Sequence, residues 1–196
     1  MLDTAKVPKY KKKDEELHMI SHESIEEFIC QFPVYQYAFF KPEDIEFSFR
    51  VRWICEQECE RYNTTWACPP AVGSVEECRK RCLEYEECFL FSTIAEVSDV
   101  INFEETLATR AEHEEITAAV ERFIREQGAQ CMALSTESCD ICENCAYPDG
   151  PCRFPEKMHP CVESHGIIVS ELAEKYDMEF TLSPNQILWF GIIFIK

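Results

Sequence analysis

The stretch that decides the fold runs from Ser138 to His165 and reads SCDICENCAYPDGPCRFPEKMHPCVESH. It contains a C-x2-C-x2-C-x6-C run, formed by Cys139, Cys142, Cys145 and Cys152. Turn-forming residues surround these thiols, so a tight irregular loop can direct all four at one centre. Thiolates are soft anionic ligands that suit zinc and iron–sulfur clusters. The stretch therefore predicts a metal-binding loop that the rest of the chain is organised to hold.

The spacing of this run favours a [4Fe–4S] cluster over zinc. Three cysteines in successive x2 steps resemble the run found in bacterial ferredoxins. Structural zinc sites normally use paired C-x2-C knuckles that are separated by a longer stretch. Zinc is the alternative cofactor, and unligated thiols are the remaining alternative.

A second cysteine group lies earlier in the chain, with the spacing C-x3-C-x8-C-P-P followed by a cysteine in a helical segment. Its members are Cys55, Cys59, Cys68 and Cys78. We predict that this group holds a second [4Fe–4S] cluster, so that the protein carries one or two clusters. Cys82 is an alternative fourth ligand because it lies one helical turn from Cys78. The opposing interpretation is that some of these cysteines are small buried hydrophobic residues.

Several residues outside the two groups have weaker predicted roles. Cys88 and Cys131 lie in strand-like patterns and are expected in the core. Cys161 follows a His-Pro pair and is either a spare ligand or a reactive thiol at the start of a helix. Arg153 is a candidate hydrogen-bond donor to a cluster sulfur, and Trp66 is a candidate apolar shield over the first group.

The hydrophobic pattern predicts an α/β (α+β) fold, a two-layer sandwich in which helices cover a small mixed four-stranded sheet. Alternating or continuous apolar runs predict four strands, over residues 45–54, 88–94, 129–134 and 187–195. Residues 32–40 are aromatic, and we expect them to pack over the core or to shield a cluster. Residues 18–196 are predicted to form a single cysteine-rich metal-binding domain, preceded by a flexible polar arm over residues 1–17.

Helices are indicated by caps and by apolar residues at helical spacing. One is predicted after a Ser21 or Ser24 cap, and another after the capping box that begins at Ser74. The longest is predicted over residues 103–126, with Gly128 placed to end it. The last is predicted from residue 161 to residue 176.

The net charge and the cysteine content limit the compartments and the binding partners that we expect for this protein. The chain has 19 basic and 37 acidic residues, a formal net charge of −18. Such a surface repels phosphate backbones, so nucleic acid is not an expected partner. The longest apolar run is too short to span a membrane. The polar start has no secretory signal pattern, and thirteen cysteines is an odd number, so we expect a reducing cytoplasm in which thiols act as ligands.

Phosphate-binding, dinucleotide-binding, nucleophile-elbow and zinc-protease motifs are absent from the sequence. The leading hypothesis is a cluster protein that passes electrons to a redox partner protein. One alternative is a cluster-dependent enzyme that acts on a small thiol or a corrinoid-type substrate, and another is a zinc-stabilised interaction module. The sequence leaves open both the enzyme question and the oligomeric state.

The two cysteine groups together resemble a known family. The shared motifs are Cys55-x3-Cys59, Tyr62-x3-Trp66-Ala-Cys68-Pro-Pro, Glu76-Glu77-Cys78-Arg79, Cys139-x2-Cys142-x2-Cys145, Cys152-Arg153-x-Pro155 and Pro160-x2-Glu163-x2-Gly166-Ile167. From about residue 50 to residue 196, the chain is similar to the predicted metal-binding proteins catalogued as domain of unknown function 2284. The resemblance implies metal binding and a likeness to iron–sulfur proteins of anaerobic prokaryotes, without a settled reaction. Cys161 and Ile168 stand where it implies a serine and an acidic residue.

Overall fold

The computed structural model describes residues 20–196, and the flexible arm predicted for residues 1–17 lies outside the described residues. Within that range, five helices and an open four-stranded sheet form a mixed α+β fold. The helices are α1 (His22–Ile29), α2 (Phe49–Glu58), α3 (Val75–Cys82), α4 (Phe103–Glu126) and α5 (Val169–Lys175). The strands are β1 (Val34–Phe40), β2 (Glu87–Glu96), β3 (Cys131–Leu134) and β4 (Gln186–Ile195). No helix of residues 20–196 is both long and apolar enough to cross a membrane.

The strands lie in the order β1-β2-β4-β3, and every neighbouring pair is antiparallel. The prediction of a mixed sheet was therefore wrong. It rested on the alternation of strands and helices, which is typical of parallel neighbours. Here the α4 crossover does join two strands that run in the same direction, β2 and β3. The C-terminal strand β4 lies between them and runs the opposite way, so no parallel pair forms.

Side chains of the sheet alternate between two buried faces, as the strand period of two requires. On one face, Phe89, Phe91 and Ile193 pack with apolar residues of α1 and α4. On the other face, Leu90 and Ile192 pack with α5 and with the segment around residue 162. The second face carries the segment that leads from Cys161 into α5.

Local capping explains why the predicted helices form where they do. Ser21 accepts a hydrogen bond from the backbone of Ser24 and caps α1. Ser74 and Glu77 form a reciprocal capping box at the start of α3. Helix α4 covers the predicted residues 103–126, and Gly128 follows it with a φ of 93°. The strands predicted over residues 88–94, 129–134 and 187–195 are confirmed within a few residues as β2, β3 and β4.

The strand predicted over residues 45–54 was wrong. Only Phe47 makes a bridge, to Ile167, and the chain then enters α2 at its Ser48 cap. The alternation of apolar and polar residues predicted a buried face that included Phe49 and Trp53, but these side chains are 63% and 55% exposed. The helix buries Arg52 instead. The hydrogen bonds that the Arg52 guanidinium donates to distant carbonyls outweigh the local strand pattern.

Two further differences concern residues 32–40 and 161–176. The aromatic run 34–40 is strand β1, which pairs with β2, and Phe39 and Phe40 pack against the core as one of the two expectations had it. The single helix predicted over 161–176 is divided into a short 3-10 turn, Glu163–His165, and helix α5. Gly166 separates them with a φ of 80°, a left-handed conformation that ends helices.

Candidate metal centres

The four cysteines of the C-x2-C-x2-C-x6-C run line one cavity, which we call the second cysteine cavity. Apolar side chains complete its wall, among them Trp66, Ile141, Phe154 and Met158. The space between these side chains is about 20 Å³, so the loop must widen to hold a cluster. All four cysteines of the run therefore share one cavity wall, and their role as ligands of one centre stays a prediction.

The loop around the second cysteine cavity is held by side-chain hydrogen bonds to its backbone. The Nε1–H of Trp66 donates to the carbonyl of Gly150 at 3.0 Å, and the indole packs edge-on against Tyr147. Arg153 donates to the carbonyl of Asn144 at 2.8 Å. Trp66 was expected over the first cysteine group, but its side chain closes the second cavity. Arg153, proposed as a donor to sulfur, holds the loop backbone.

Three members of the earlier group, Cys55, Cys59 and Cys68, line a separate cavity of about 270 Å³. We call it the first cysteine cavity. Cys161 and Glu163, from the other end of the chain, line the same cavity. Cys78, the fourth predicted ligand of this group, is not part of its wall.

Helix α2 and its buried arginine place the thiols of the first cysteine cavity. Arg52, Cys55 and Cys59 are spaced i, i+3 and i+7, so they lie on one side of the helix. The guanidinium of Arg52 donates to the carbonyls of Gly73 and Ser164. It therefore ties α2 to the turn that carries Cys161 and Glu163.

The end of β3 brings the C-terminal cysteine segment against the earlier one. Ser135 pairs with Cys161 in a parallel bridge, with backbone hydrogen bonds of 2.9 Å on either side of it. Ser138 then meets Cys68, with 3.1 Å between Oγ and Sγ. Ser138 directly precedes Cys139, so the two cysteine cavities adjoin.

Cys78 lies in a different environment, beside two arginines. It is 0% exposed on α3, with its Sγ 3.2 Å from a guanidinium nitrogen of Arg81 and 3.8 Å from one of Arg52. Burial raises the pKa of this thiol, and the two guanidinium groups partly offset that rise. Cys82, the alternative ligand, is also fully buried, and burial raises its pKa to about 12.

Burial favours the protonated thiol at one cysteine in each cavity, Cys55 in the first and Cys139 in the second. Burial raises the pKa of Cys55 to about 11, and the neighbouring Cys59 adds to the rise. Burial also raises the pKa of Cys139. Since the thiolate is the ligand, metal binding must displace these protons, and metal affinity is expected to rise with pH.

The donor chemistry of both cavities suits a soft metal or cluster. All thirteen cysteines are free thiols. Beside Cys55, the buried Nε–H of Arg52 has no hydrogen-bond partner among the described residues, so an anionic group there would gain a donor. Within residues 20–196, no three Cys, His, Asp or Glu side chains converge on a point where one ion could bind.

A chain of ion pairs runs from the segment between Cys59 and Cys68, through the segment that follows Cys139, to helix α4. Its members, in order of contact, are Arg61, Asp140, Arg110, Glu114, His159, Glu121 and Arg125. His159 is buried between two carboxylates at 3.3 Å each. Burial alone would lower its pKa, but hydrogen bonds to Glu114 and Glu121 outweigh burial and raise the pKa to about 9. The imidazolium therefore stays charged at pH 7 and fixes the segment before Cys161 to α4.

Sequence reasoning missed Ser138 and Glu163 as parts of the wall of the first cysteine cavity, and it gave Cys161 only as a spare ligand or a reactive thiol without placing it at this cavity. No spacing rule could find them, because they reach the cavity through β3 pairing and through Arg52. The core positions predicted for Cys88 and Cys131 are confirmed, since both are buried in strands.

Taken together, an open antiparallel sheet and two adjoining cysteine-lined cavities define a cysteine-rich α+β protein with candidate metal centres. Residues 38–195 match the family described as predicted metal-binding protein (DUF2284), and the chain belongs to that family. No curated protein and no solved structure matches the chain.

Proposed function

We propose that this metal-binding protein carries one or two [4Fe–4S] clusters and transfers electrons to a partner protein. The observation that carries the proposal is that each cavity is lined by four free cysteines. The proposed ligands at the second cavity are Cys139, Cys142, Cys145 and Cys152. At the first, Cys55, Cys59 and Cys68 are proposed ligands, and the fourth is taken up below in place of Cys78.

A bound cluster supplies one-electron chemistry, and the chain's own residues set the conditions for it. Trp66, Phe154 and Met158 give the second cavity an apolar wall. The Ser138 hydroxyl can donate to the Cys68 thiolate, and donors to ligand sulfur raise a reduction potential. The two cavities adjoin through Ser138 and Cys139, which supports electron exchange between them.

The partner is expected to present a basic surface because the chain carries a formal net charge of −18. The same charge argues against nucleic acid as a partner. The free thiols support a reducing compartment, for which the cytoplasm is our proposal. We propose that residues 18–196 act as one domain, since both cavities draw residues from distant parts of that range.

The test is anaerobic purification with iron, acid-labile sulfide and zinc counted per chain, together with the visible spectrum. Two clusters predict about eight irons and eight sulfides, and one predicts about four of each. Cys142→Ala and Cys145→Ala should each remove the absorbance of the second centre, while Cys30→Ala, an exposed cysteine outside both cavities, is the matched control. Colourless protein with stoichiometric zinc would refute the proposal and favour a zinc-stabilised interaction module.

A second candidate function, a cluster-dependent enzyme, is favoured by a large cavity next to the second centre. The cavity has a volume of about 1030 Å³ and lies between α4 and the 139–141 segment. Cys139 is part of its wall, together with Arg110 and His159. A small thiol or corrinoid-type substrate could therefore approach the second centre from this side.

The enzyme hypothesis is tested by adding small thiols and corrinoids to the anaerobic protein and recording the visible and electron paramagnetic resonance spectra. A substrate in this cavity should perturb the signal of the second centre and leave that of the first unchanged. Ala111→Trp, which fills the same cavity, should abolish the perturbation. Spectra that are unaffected by every compound would remove the reason to prefer an enzyme.

A further inference from the structure

The first cysteine cavity contains a fourth thiol that the spacing of its own sequence group does not supply. Cys161 lines the cavity together with Cys55, Cys59 and Cys68. Residues 68 and 161 are too far apart along the chain for a sequence motif to show that their thiols line one cavity. The Ser135–Cys161 bridge and the hydrogen bond from Arg52 to the Ser164 carbonyl create it.

We propose that Cys161, rather than Cys78, is the fourth thiolate ligand of a [4Fe–4S] cluster in the first cysteine cavity. The proposal rests on the proposed function, since it names a ligand for one of its clusters.

The surroundings of Cys161 suit a ligand. Its Sγ accepts a hydrogen bond from the backbone N–H of Ser164 at 3.2 Å. Elsewhere in the cavity wall, the Cys68 thiol donates to the Ser138 hydroxyl at 3.1 Å, and once Cys68 is a thiolate that hydroxyl is free to donate in return. Hydrogen-bond donors of this kind stabilise thiolate sulfur in clusters. Each sulfur therefore has a neighbouring group that can donate to its thiolate, and both line one shared cavity.

The spacing of the other thiols is also suitable. Cys55 lies in the last turns of α2, and Cys59 is the C-terminal cap of that helix. Residues at i and i+4 of a helix have Cβ atoms roughly 5–6 Å apart. That separation lets each thiolate reach its own iron, while Cys68 and Cys161 approach from the two irregular segments opposite α2.

Cys78 has a different role, as a positioning residue. Its sulfur contacts the guanidinium groups of Arg52 and Arg81, and its thiol points to the carbonyl of Val72. Arg52 in turn holds the Ser164 carbonyl and so the turn that begins with Cys161. Cys78 therefore helps to fix the direction of Arg52, and it is not among the residues that line the first cysteine cavity.

The experiment compares Cys161→Ser with Cys78→Ser, two buried cysteines that undergo the same single-atom change. Iron, sulfide and zinc are counted per chain after anaerobic purification. Cys161→Ser should lose about four irons and four sulfides relative to the parent, and Cys78→Ser should keep them. Retention of iron by Cys161→Ser, or loss of the first centre from a Cys78→Ser variant with parental circular dichroism, overturns the proposal.

Chemical rescue separates ligand loss from misfolding. Cys161→Ala leaves space at the wall of the cavity, so 2-mercaptoethanol added together with ferrous iron and sulfide should restore the missing cluster. Cys78→Ala should gain nothing, because its first centre still has all four proposed ligands. Absence of rescue in Cys161→Ala overturns the assignment.

The same counts distinguish this proposal from the proposed function. A parent protein without iron and sulfide refutes the cluster function. If that parent instead holds zinc, loss of one zinc in Cys161→Ser but not in Cys78→Ser still supports Cys161 as the ligand. A parent with eight irons that Cys161→Ser retains refutes the ligand assignment and leaves the cluster function intact.

Discussion

Gly166 is the position at which a single methyl group should affect the first cysteine cavity most directly. Its φ of 80° lies in the left-handed region, and it separates the turn carrying Glu163 from helix α5. Its carbonyl accepts a hydrogen bond from the backbone N–H of Ser48, the cap of α2, at 2.6 Å. The residue therefore joins the Cys161 turn to the helix that carries Cys55.

The cost of Gly166→Ala has two parts. Placing an L-residue in the left-handed region costs about 1–2 kcal/mol. The new Cβ would also lie 3.1 Å from the carbonyl oxygen of Ser48 and 3.1 Å from Cγ1 of Val75. Overpacking of this kind typically costs about 1–3 kcal/mol. The free energy of unfolding should therefore fall by about 2–5 kcal/mol.

Gly128→Ala is the matched control. Gly128 has a φ of 93°, but a Cβ there would meet nothing within 4 Å. It should cost only the conformational part, about 1–2 kcal/mol. Any stabilisation from a stiffer unfolded chain is common to both variants and cancels in the comparison.

Anaerobic urea unfolding, followed by far-ultraviolet circular dichroism, gives the two free energies. Iron counts should show that Gly166→Ala loses metal from the first cavity, while Gly128→Ala retains it. If the two variants are equally stable, the close approach of Ser48 and Val75 does not constrain Gly166. If Gly166→Ala is less stable but keeps all its metal, the turn does not position the first centre.

Trp66→Phe removes the donor to the Gly150 carbonyl and should cost about 1 kcal/mol and speed the removal of metal from the second centre by a chelator; an unchanged decay of visible absorbance would contradict a role in holding the loop. His113 is buried, which lowers its pKa to about 4, so its contribution to stability is present above about pH 6.5 and is lost as the pH falls towards 4. Between pH 7 and pH 5 the parent should lose about 2 kcal/mol more than His113→Gln, and parallel urea titrations with equal losses would refute this. His159→Gln leaves two α4 carboxylates without their cation and should cost about 3–5 kcal/mol, whereas a loss near zero in urea unfolding would show that the pair adds nothing.

The sequence predicts those parts of the fold that depend on neighbours along the chain. The ends of helix α4 and the start of α3 at Ser74 depend on capping residues that lie within a few positions along the chain, so these bounds are predictable. Strand β1 was also within reach, because the run VYQYAFF is rich in aromatic residues, which favour strands.

Helix α2 shows where local pattern fails. Residues 45–54 alternate in polarity, and that period favours a strand, yet the structure buries Arg52 and exposes Trp53. Arg52 makes hydrogen bonds with partners 21 and 112 residues away. No window of local sequence contains those partners. The apolar pattern alone therefore predicts that Trp53 is buried and gives no reason to bury Arg52.

The same physics decides which residues line each candidate centre. The run of cysteines from 139 to 152 lines one cavity because short spacers keep its members together. The earlier group is spread over a helix, an irregular segment and α3, so its spacing fixes no common point. Contacts between distant parts of the chain complete each cavity. Trp66, from the earlier segment, closes the second cavity, and Ser138 and Cys161, from the later segment, line the first. Each cavity is therefore completed by the other segment, which makes the two segments a single structural unit.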